Sequence, residues 1–186
     1  ICRVVTAGET APFLISLARR RIAMDSKYSR STSKYHCRWM IRRDMAEVLN
    51  IENRVFEFPW REDDFIRCLR QRNCIGFIAE TGERVVGFMI YELHKTRVHL
   101  LSLAVHPDFK GMGVGGTLMS VLQGKLSEKH RVRITTEVRE RNLDAQLFFK
   151  RFGFRATSVL RNYYEDSDED AYLFHYRVTE ESEVPV

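Results

Sequence analysis

The sequence has little of what metal sites, disulfide scaffolds and membrane spans require. Its 186 residues include four cysteines, none of which forms a C-x-x-C pair or has a histidine partner at zinc-ligand spacing. We therefore expect no metal ion, and reduced thiols in a cytoplasmic protein. No apolar run approaches the roughly 18 residues of a membrane span, so no transmembrane segment is predicted. Hydrophobic residues at 44% and charged residues at 30% fit one soluble globular domain.

The positive net charge belongs to one end of the chain. Residues 1–34 hold seven basic and two acidic side chains, which accounts for the whole net charge of +5. The rest of the chain is neutral, and we do not expect it to bind nucleic acid or a membrane surface. Residues 1–34 are interpreted as a basic leader, disordered or peripheral, and residues 35–186 as the single folded domain. One hypothesis is that Met24 is the true start of the protein.

Glycine is not abundant, but four of the ten glycines lie between His106 and Gly116. An apolar run typical of a buried strand precedes this stretch, and a helical pattern follows it. Glycines allow backbone N–H groups to turn toward one point, and a helix N-terminus adds partial positive charge. The stretch therefore predicts an anion cradle suited to a pyrophosphate, the alternative being a tight turn without a ligand. It lacks the Gly-Lys-Ser/Thr of a Walker A loop and comes too late for a dinucleotide-binding fingerprint.

Hydrophobic periodicity and turn residues predict seven strands and four helices in the order β-α-α-β-β-β-α-β-α-β-β. The predicted strands are 35–41, 74–80, 84–93, 98–105, 131–138, 154–163 and 171–178. The predicted helices are 43–53, 61–72, 114–129 and 142–152, and Gly153 is predicted to end the last of them in the usual C′ role. Because strands outnumber helices, the sheet must contain antiparallel as well as parallel pairs.

Four motifs resemble those of the GNAT acyltransferase superfamily. Lys110 to Gly115 resembles its acetyl-CoA loop, Gln/Arg-x-x-Gly-x-Gly/Ala, with Lys110 in place of Gln or Arg. The other motifs are Phe58-Pro59-Trp60, Glu137-Val138-Arg139 with Asn142, and Arg161-Asn162-Tyr163-Tyr164. Together, over roughly residues 35–178, they look like the bacterial ribosomal-protein-alanine N-acetyltransferases, the RimI type.

The resemblance implies the GNAT fold, of α/β (α+β) class. Its central sheet is mixed, mostly antiparallel, of about seven strands flanked by four helices and splayed beside strand 4. It also implies acetyl-CoA as co-substrate, with the pantetheine arm lying along strand 4 and one N–H there polarising the acetyl oxygen. The implied cofactor-binding residues are Leu103, Ala104, Val105, Lys110, Gly111, Met112, Gly113, Val114, Gly115, Gly116 and Asn142. A helix N-cap explains Asn142 equally well.

For catalysis, the resemblance implies Glu137 as general base in a direct transfer to an amine. Residue patterns alone would make Glu137 an exposed strand carboxylate. The RimI type carries a tyrosine as general acid in the following helix, and that position is Phe149 here. Since phenylalanine cannot donate a proton, we expect reduced but real activity, with water, Tyr163 or Tyr164 as the proton donor.

The acceptor side is implied by aromatic residues. By resemblance, Phe58, Pro59, Trp60, Tyr163 and Tyr164 flank the groove that takes a protein N-terminus, although core packing would explain them too. The acidic run at residues 165–170 is interpreted as a solvated turn, or as an attractor for the basic tail of a ribosomal protein.

The leading interpretation is an acetyl-CoA-dependent N-acetyltransferase for a protein N-terminal amine, with the N-terminal Ala of a small-subunit ribosomal protein as acceptor. A GNAT enzyme for lysine side chains or a small amine is the first alternative. A catalytically weak acetyl-CoA-binding module is the second, suggested by Phe149. A nucleic-acid binder acting through the leader is disfavoured by the neutral body. The sequence does not define the oligomeric state.

Overall fold

The computed structural model describes residues 34–127 and 130–178, and the backbone of residues 3–5. The remaining leader residues, including Met24, lie outside the described residues. The strands are β1 Arg3–Val5, β2 His36–Trp39, β3 Cys74–Thr81, β4 Arg84–Leu93, β5 Arg97–Val105, β6 Arg133–Arg139, β7 Arg155–Tyr164 and β8 Glu169–Arg177. The helices are α1 Met45–Val55, α2 Glu62–Leu69, α3 Val114–Gln123 and α4 Leu143–Arg151, with short 3₁₀ turns at Arg42–Asp44 and Pro107–Phe109.

Seven strands form the sheet in the order β2-β3-β4-β5-β6-β8-β7, and β1 pairs with β5 off this path. The β5–β6 pair is parallel, whereas the other neighbours on the path are antiparallel. The parallel pairing is short, since it joins only Arg97 to His99 with Arg133 to Thr135. Beyond His99 the two strands separate. The predicted fold class, with its sheet splayed beside the fourth predicted strand, is confirmed.

Two apolar cores cover the faces of the sheet. Helices α3 and α4 pack on one face, where Leu118, Leu122 and Phe149 are buried. Helices α1 and α2 pack on the other, where Val48, Ile51 and Phe65 are buried. Successive strand residues point to opposite faces, so one strand can contribute both to a core and to a site.

Two helices are shorter than the periodicity predicts. Helix α3 ends at Gln123 because Gly124 caps it, and the N–H of Lys125 and of Leu126 each bond three residues back. Helix α2 ends at Leu69 rather than near residue 72. Tight 3₁₀-type bonds satisfy the last carbonyl groups of a helix, so apolar periodicity can continue past its real end.

Candidate active site

The glycine loop opens helix α3 in the predicted place. Gly111 and Gly113 adopt positive φ angles of 72° and 91°. Gly113 is the N-cap of α3, and no side chain caps this end of the helix. The first N–H groups of a helix have no partner within it, so they are available to an anion.

The next two glycines, Gly115 and Gly116, are needed for close packing of helices and not for a turn of the backbone. A Cβ on Gly115 would lie 3.1 Å from the Phe148 ring of α4, and one on Gly116 would lie 3.4 Å from Phe152. These glycines let α4 approach the start of α3 closely. Lys110 is half-buried beside this junction, and burial lowers the pKa of its ammonium, which Asp144 partly opposes.

The edge of β5 beyond His99 can accept an extended partner. Arg3, Val4 and Val5 pair in parallel with Ser102, Leu103 and Ala104. Sequence reasoning assigned the same edge, at Leu103 to Val105, to the pantetheine arm. It did not predict β1. An arm bound at this edge would take the place of β1, because the two cannot pair with the same residues together.

Asn142 caps helix α4. Its side-chain oxygen accepts the N–H of Ala145 at 3.0 Å, which confirms the N-cap interpretation. It also lines the cavity described below, at the start of α4. Gly153 ends the helix in the predicted way, with φ of 84° and the N–H of Phe154 bonded to the Phe149 carbonyl at 3.0 Å.

Glu137 lies in β6 where the sheet opens, and only 7% of its surface is exposed. Its Oε2 lies 3.2 Å from Nε2 of His99 on β5, although that oxygen has no hydrogen bond of good geometry among the described residues. We interpret the contact as an ion-pair or dipolar one. The other ring nitrogen of His99 lies 2.9 Å from Oγ1 of Thr135. Sequence reasoning missed His99, because its link to Glu137 spans two strands far apart in the chain.

A cavity of about 320 Å³ lies two residues farther along β6, between the α1–α2 segment, the start of α4 and the β7–β8 hairpin. Its walls include Phe58, Arg139, Asn142 and Tyr164. The Arg139 guanidinium stacks 3.8 Å from the Tyr164 ring centre and 5.0 Å from that of Phe58. The hydroxyl of Tyr164 lies 3.5 Å from the Glu137 carbonyl oxygen. Glu137 and Arg139 share a face of the strand, so the carboxylate faces the side on which this cavity opens.

The other aromatic residues of the predicted groove lie behind these walls. Trp60 packs edge-on against Phe65 in the α1–α2 core, at a ring-centre distance of 5.3 Å. Tyr163 lies against Tyr164, and Pro59 is exposed. The structure therefore brings Phe58 and Tyr164 together at the cavity, whereas Trp60 supports the segment that carries Phe58.

The acidic run is more than a solvated turn. Asp166 binds Arg139 through both carboxylate oxygens at 2.8 Å, and Glu169 binds it at 3.1 Å. Asp170 pairs with Arg161. Most of the negative charge at residues 165–170 thus fixes the hairpin beside the cavity.

Phe149 is wholly buried in an aromatic cluster. Its ring centre lies 5.0 Å from that of Phe154 and 6.0 Å from that of Phe174. The position is an apolar one on the α3–α4 face of the sheet, and it supplies no proton donor.

Near the glycine loop, two cations converge on one buried imidazole. Nε2 of His106 lies 3.0 Å from the Arg54 guanidinium and 3.2 Å from that of Arg84. Burial lowers the pKa of His106, the two arginines lower it further, and Asp108 opposes them. The cluster fastens the end of β5 to α1 and β4.

Within residues 34–127 and 130–178, no group of three or more His, Cys, Asp or Glu side chains is placed to hold a metal ion. None of the helices in these ranges is long and apolar enough to cross a membrane. Cys37, Cys68 and Cys74 are free thiols.

Comparison with known proteins agrees with this geometry. An uncharacterised N-acetyltransferase of Methanocaldococcus jannaschii is 32% identical over 133 residues, which cover 70% of this chain and 84% of that protein. The ribosomal-protein-bS18-alanine N-acetyltransferase of Escherichia coli (strain K12) is 29% identical over 132 residues, covering 70% and 88%. The crystal structure of the ribosomal-protein-S18-alanine N-acetyltransferase from Escherichia coli matches with a TM-score of 0.70 at 25% identity, over 82% of this chain and 99% of that one.

The sequence profile of the Acetyltransferase (GNAT) family matches residues 45–154, more than half of the chain. This range runs from the start of α1 to the residue after Gly153, so it contains the glycine loop, Glu137 and the cap of α4. The protein is therefore an acetyltransferase that belongs to the GNAT family.

Proposed function

We propose that this enzyme transfers the acetyl group of acetyl-CoA to the α-amine of a protein N-terminus, in the cytoplasm. The N-terminal Ala of a small-subunit ribosomal protein is the proposed acceptor, because relatives that this chain matches over 88% and 99% of their own length carry that activity in their names. The observation that carries the proposal is the position of Glu137, at the opening of the sheet and on the face of the Phe58–Tyr164 cavity.

The chain's residues fit acetyl-CoA, which supplies the acetyl thioester. The uncapped start of α3, with Gly113 in a left-handed conformation, leaves N–H groups for the diphosphate. The β5 edge at Leu103 to Val105 can pair with the extended pantetheine arm, as its pairing with β1 illustrates. Asn142 and Lys110 border the same side of the molecule. An N–H of this edge is the proposed donor to the acetyl oxygen.

Glu137 is the proposed proton acceptor. An N-terminal amine has a pKa of about 7.7–8.0, so part of it is already neutral at pH 7 and the base has only to remove a proton during attack. The cavity beside Glu137 is bordered by Phe58 and Tyr164, and the Arg139 guanidinium stacks on both rings. Such walls suit an extended peptide whose first residue is small. Pro59, Trp60 and Tyr163 are proposed to hold these walls in place.

The test is incubation of the purified enzyme with acetyl-CoA and small-subunit ribosomal proteins, followed by mass spectrometry of intact proteins and peptides. We expect one acetyl group on the N-terminal Ala of one protein. Glu137→Gln should lower kcat about 100-fold or more, the range found for a lost general base, and leave coenzyme A binding unchanged.

Other outcomes are equally informative. Acetylation of internal lysines would contradict the N-terminal acceptor and support the alternative in which the enzyme acts on lysine side chains. Coenzyme A binding without transfer to any amine would support the binding-module alternative. Absence of coenzyme A binding in a calorimetric titration would contradict the proposal altogether.

A further inference from the structure

His99, on the neighbouring strand β5, contacts the carboxylate of Glu137. It belongs to the last residue pair before the sheet opens, since His99 pairs with Thr135 and the β5–β6 ladder stops there. Its side chain is 16% exposed, and that of Glu137 is 9% exposed. The imidazole thus reaches the carboxylate at the point where the amine and the thioester are proposed to meet.

We propose that His99 is a positioning residue for Glu137: its imidazole contacts Oε2 and orients the carboxylate, so that the other oxygen receives the amine proton. This inference depends on the function proposed above. If Thr135 donates its hydroxyl to Nδ1, the N–H of a neutral ring lies on Nε2, facing Glu137. The 3.2 Å contact is imperfectly aligned, as catalytic hydrogen bonds commonly are before substrate binds.

In the reaction, the amine nitrogen bonds to the acetyl carbon and the carbon–sulfur bond breaks, with its electron pair leaving on sulfur. The proton that the nitrogen loses goes to Glu137 and from there to water. His99 itself neither forms nor breaks a covalent bond in this reaction. It acts through its contact with the nearly buried carboxylate, whose Oε2 has no hydrogen bond of good geometry among the described residues.

The surrounding charges make this contact important. Three arginines form a row across neighbouring strands, because Arg133 pairs with both Arg97 and Arg177. The next row on the same face of the sheet is His99, Thr135 and His175. Burial lowers the pKa of His175; Arg133, Arg177 and Arg97 lower it too, and Glu137 opposes them. On the other side of Glu137 lies Arg139, whose guanidinium is already paired with the carboxylates of Asp166 and Glu169. His99 is therefore the contact to Glu137 that a substitution can remove selectively.

The test is the pH dependence of kcat/KM in three variants. His99→Leu should shift the acidic limb by about one pH unit or more toward higher pH, because a buried carboxylate without a donor gains a raised pKa. Well below the midpoint of that limb the rate should fall about tenfold, and it should recover at higher pH. His99→Gln retains an N–H donor and should restore most of the rate. Thr135→Val, which removes only the partner of Nδ1, should have a smaller effect.

A double-mutant cycle adds a second criterion. In the Glu137→Gln background, His99→Leu should change kcat less than about twofold, since residues that act as one unit are not additive. A pH-independent loss in His99→Leu, or additive losses in the cycle, would overturn the proposal.

A readout without turnover separates this inference from the proposed function. The carboxylate of Glu137 can be titrated by carbon-13 NMR in the full chain and in His99→Leu, with unfolding curves to verify that both fold. An unshifted titration would overturn the role of His99 whatever the enzyme acetylates. A shifted titration in a protein that acetylates no N-terminus would support the contact and contradict the proposed function.

Discussion

The two sides of the β5–β6 opening obtain their chemistry in different ways. On the α3 side, the proposed ligand contacts are backbone N–H groups, set by Gly111 and Gly113 of one loop, with Gly115 and Gly116 in the first turn of α3. On the acceptor side they are side chains from β5, β6, the α1–α2 segment and the β7–β8 hairpin, which the fold collects from distant parts of the chain. Backbone chemistry is thus encoded locally, and side-chain chemistry depends on the whole topology.

The largest effect should come from breaking the local side. Gly113→Val places a β-branched residue at a φ of 91°, which such residues adopt only with strain. The N–H groups at the start of α3 should turn away from their common point. We expect coenzyme A affinity to fall about 100-fold or more, equivalent to roughly 3 kcal/mol of lost binding, as measured by calorimetry.

Gly82→Val is the matched control. Gly82 also has a positive φ, of 61°, but it lies in the β3–β4 turn with nothing near its Cβ position. The two variants should lose similar stability, and only Gly113→Val should lose coenzyme A. Equal losses of affinity in both would show that the loop acts through overall stability.

This difference between the two sides explains what the sequence could predict. The glycine loop, the cap at Asn142 and the helix end at Gly153 follow local rules of backbone geometry, and the structure has each where it was predicted. The order of strands and helices was predictable for the same reason, because apolar periodicity is a local signal.

Other features depended on distant contacts. His99 reads as an ordinary strand residue until β6 places Glu137 beside it. The acidic run reads as solvated until Arg139 is found between Asp166 and Glu169. The β1 strand of three residues carries too little pattern to be distinguished from coil. In each case the deciding interaction lies many residues away in the chain.

Phe149→Tyr tests the α3–α4 side by adding a hydroxyl that could donate a proton. If the absence of a tyrosine at this position slows the departure of the thiolate, kcat should rise up to about tenfold, as for a general acid of modest efficiency. The ring is enclosed by Phe148, Phe154 and Phe174, so the new hydroxyl should cost about 1–3 kcal/mol of unfolding free energy. Stopped-flow kinetics and urea unfolding measure the two effects separately. An unchanged or lower kcat in a folded variant would argue that water already supplies the proton.

A smaller effect is expected at the β5 edge. The backbone of Arg3 to Val5 pairs where the pantetheine arm is proposed to lie. Replacing Val4 and Val5 together by Pro removes both N–H groups, so β1 should no longer form. If β1 fills the edge about two-thirds of the time, coenzyme A affinity should rise about threefold, because an occupied fraction lowers apparent affinity in proportion. The variant with Ala at both positions retains the N–H groups and should bind coenzyme A like the parent. Isothermal titration measures the affinity of all three chains. Equal affinities would mean that β1 does not compete with the pantetheine arm.

The smallest effect concerns the base of the glycine loop, and it depends on pH. Burial, with Arg84 and Arg54, lowers the pKa of His106 in the folded protein, and Asp108 opposes the shift only in part. In the unfolded chain a histidine titrates near pH 6.5. At pH 7.5 both states are neutral, so His106 then imposes no cost on folding. As the pH falls through about 6.5, the unfolded chain takes up the proton first, and the unfolding free energy must decrease.

Urea midpoints at pH 7.5 and 5.5 therefore isolate the histidines. The carboxylates with lowered pKa values, such as Asp44 beside Arg38, titrate below this window and contribute no slope within it. His106→Gln should reduce the loss of stability between the two pH values. His175→Gln should reduce it by a separate share, because burial lowers the pKa of His175 as well. If the slope is unchanged in His106→Gln, the two arginines do not hold a neutral imidazole. The end of β5 would then owe its position to the backbone bond from His106 to Val86, which both protonation states retain.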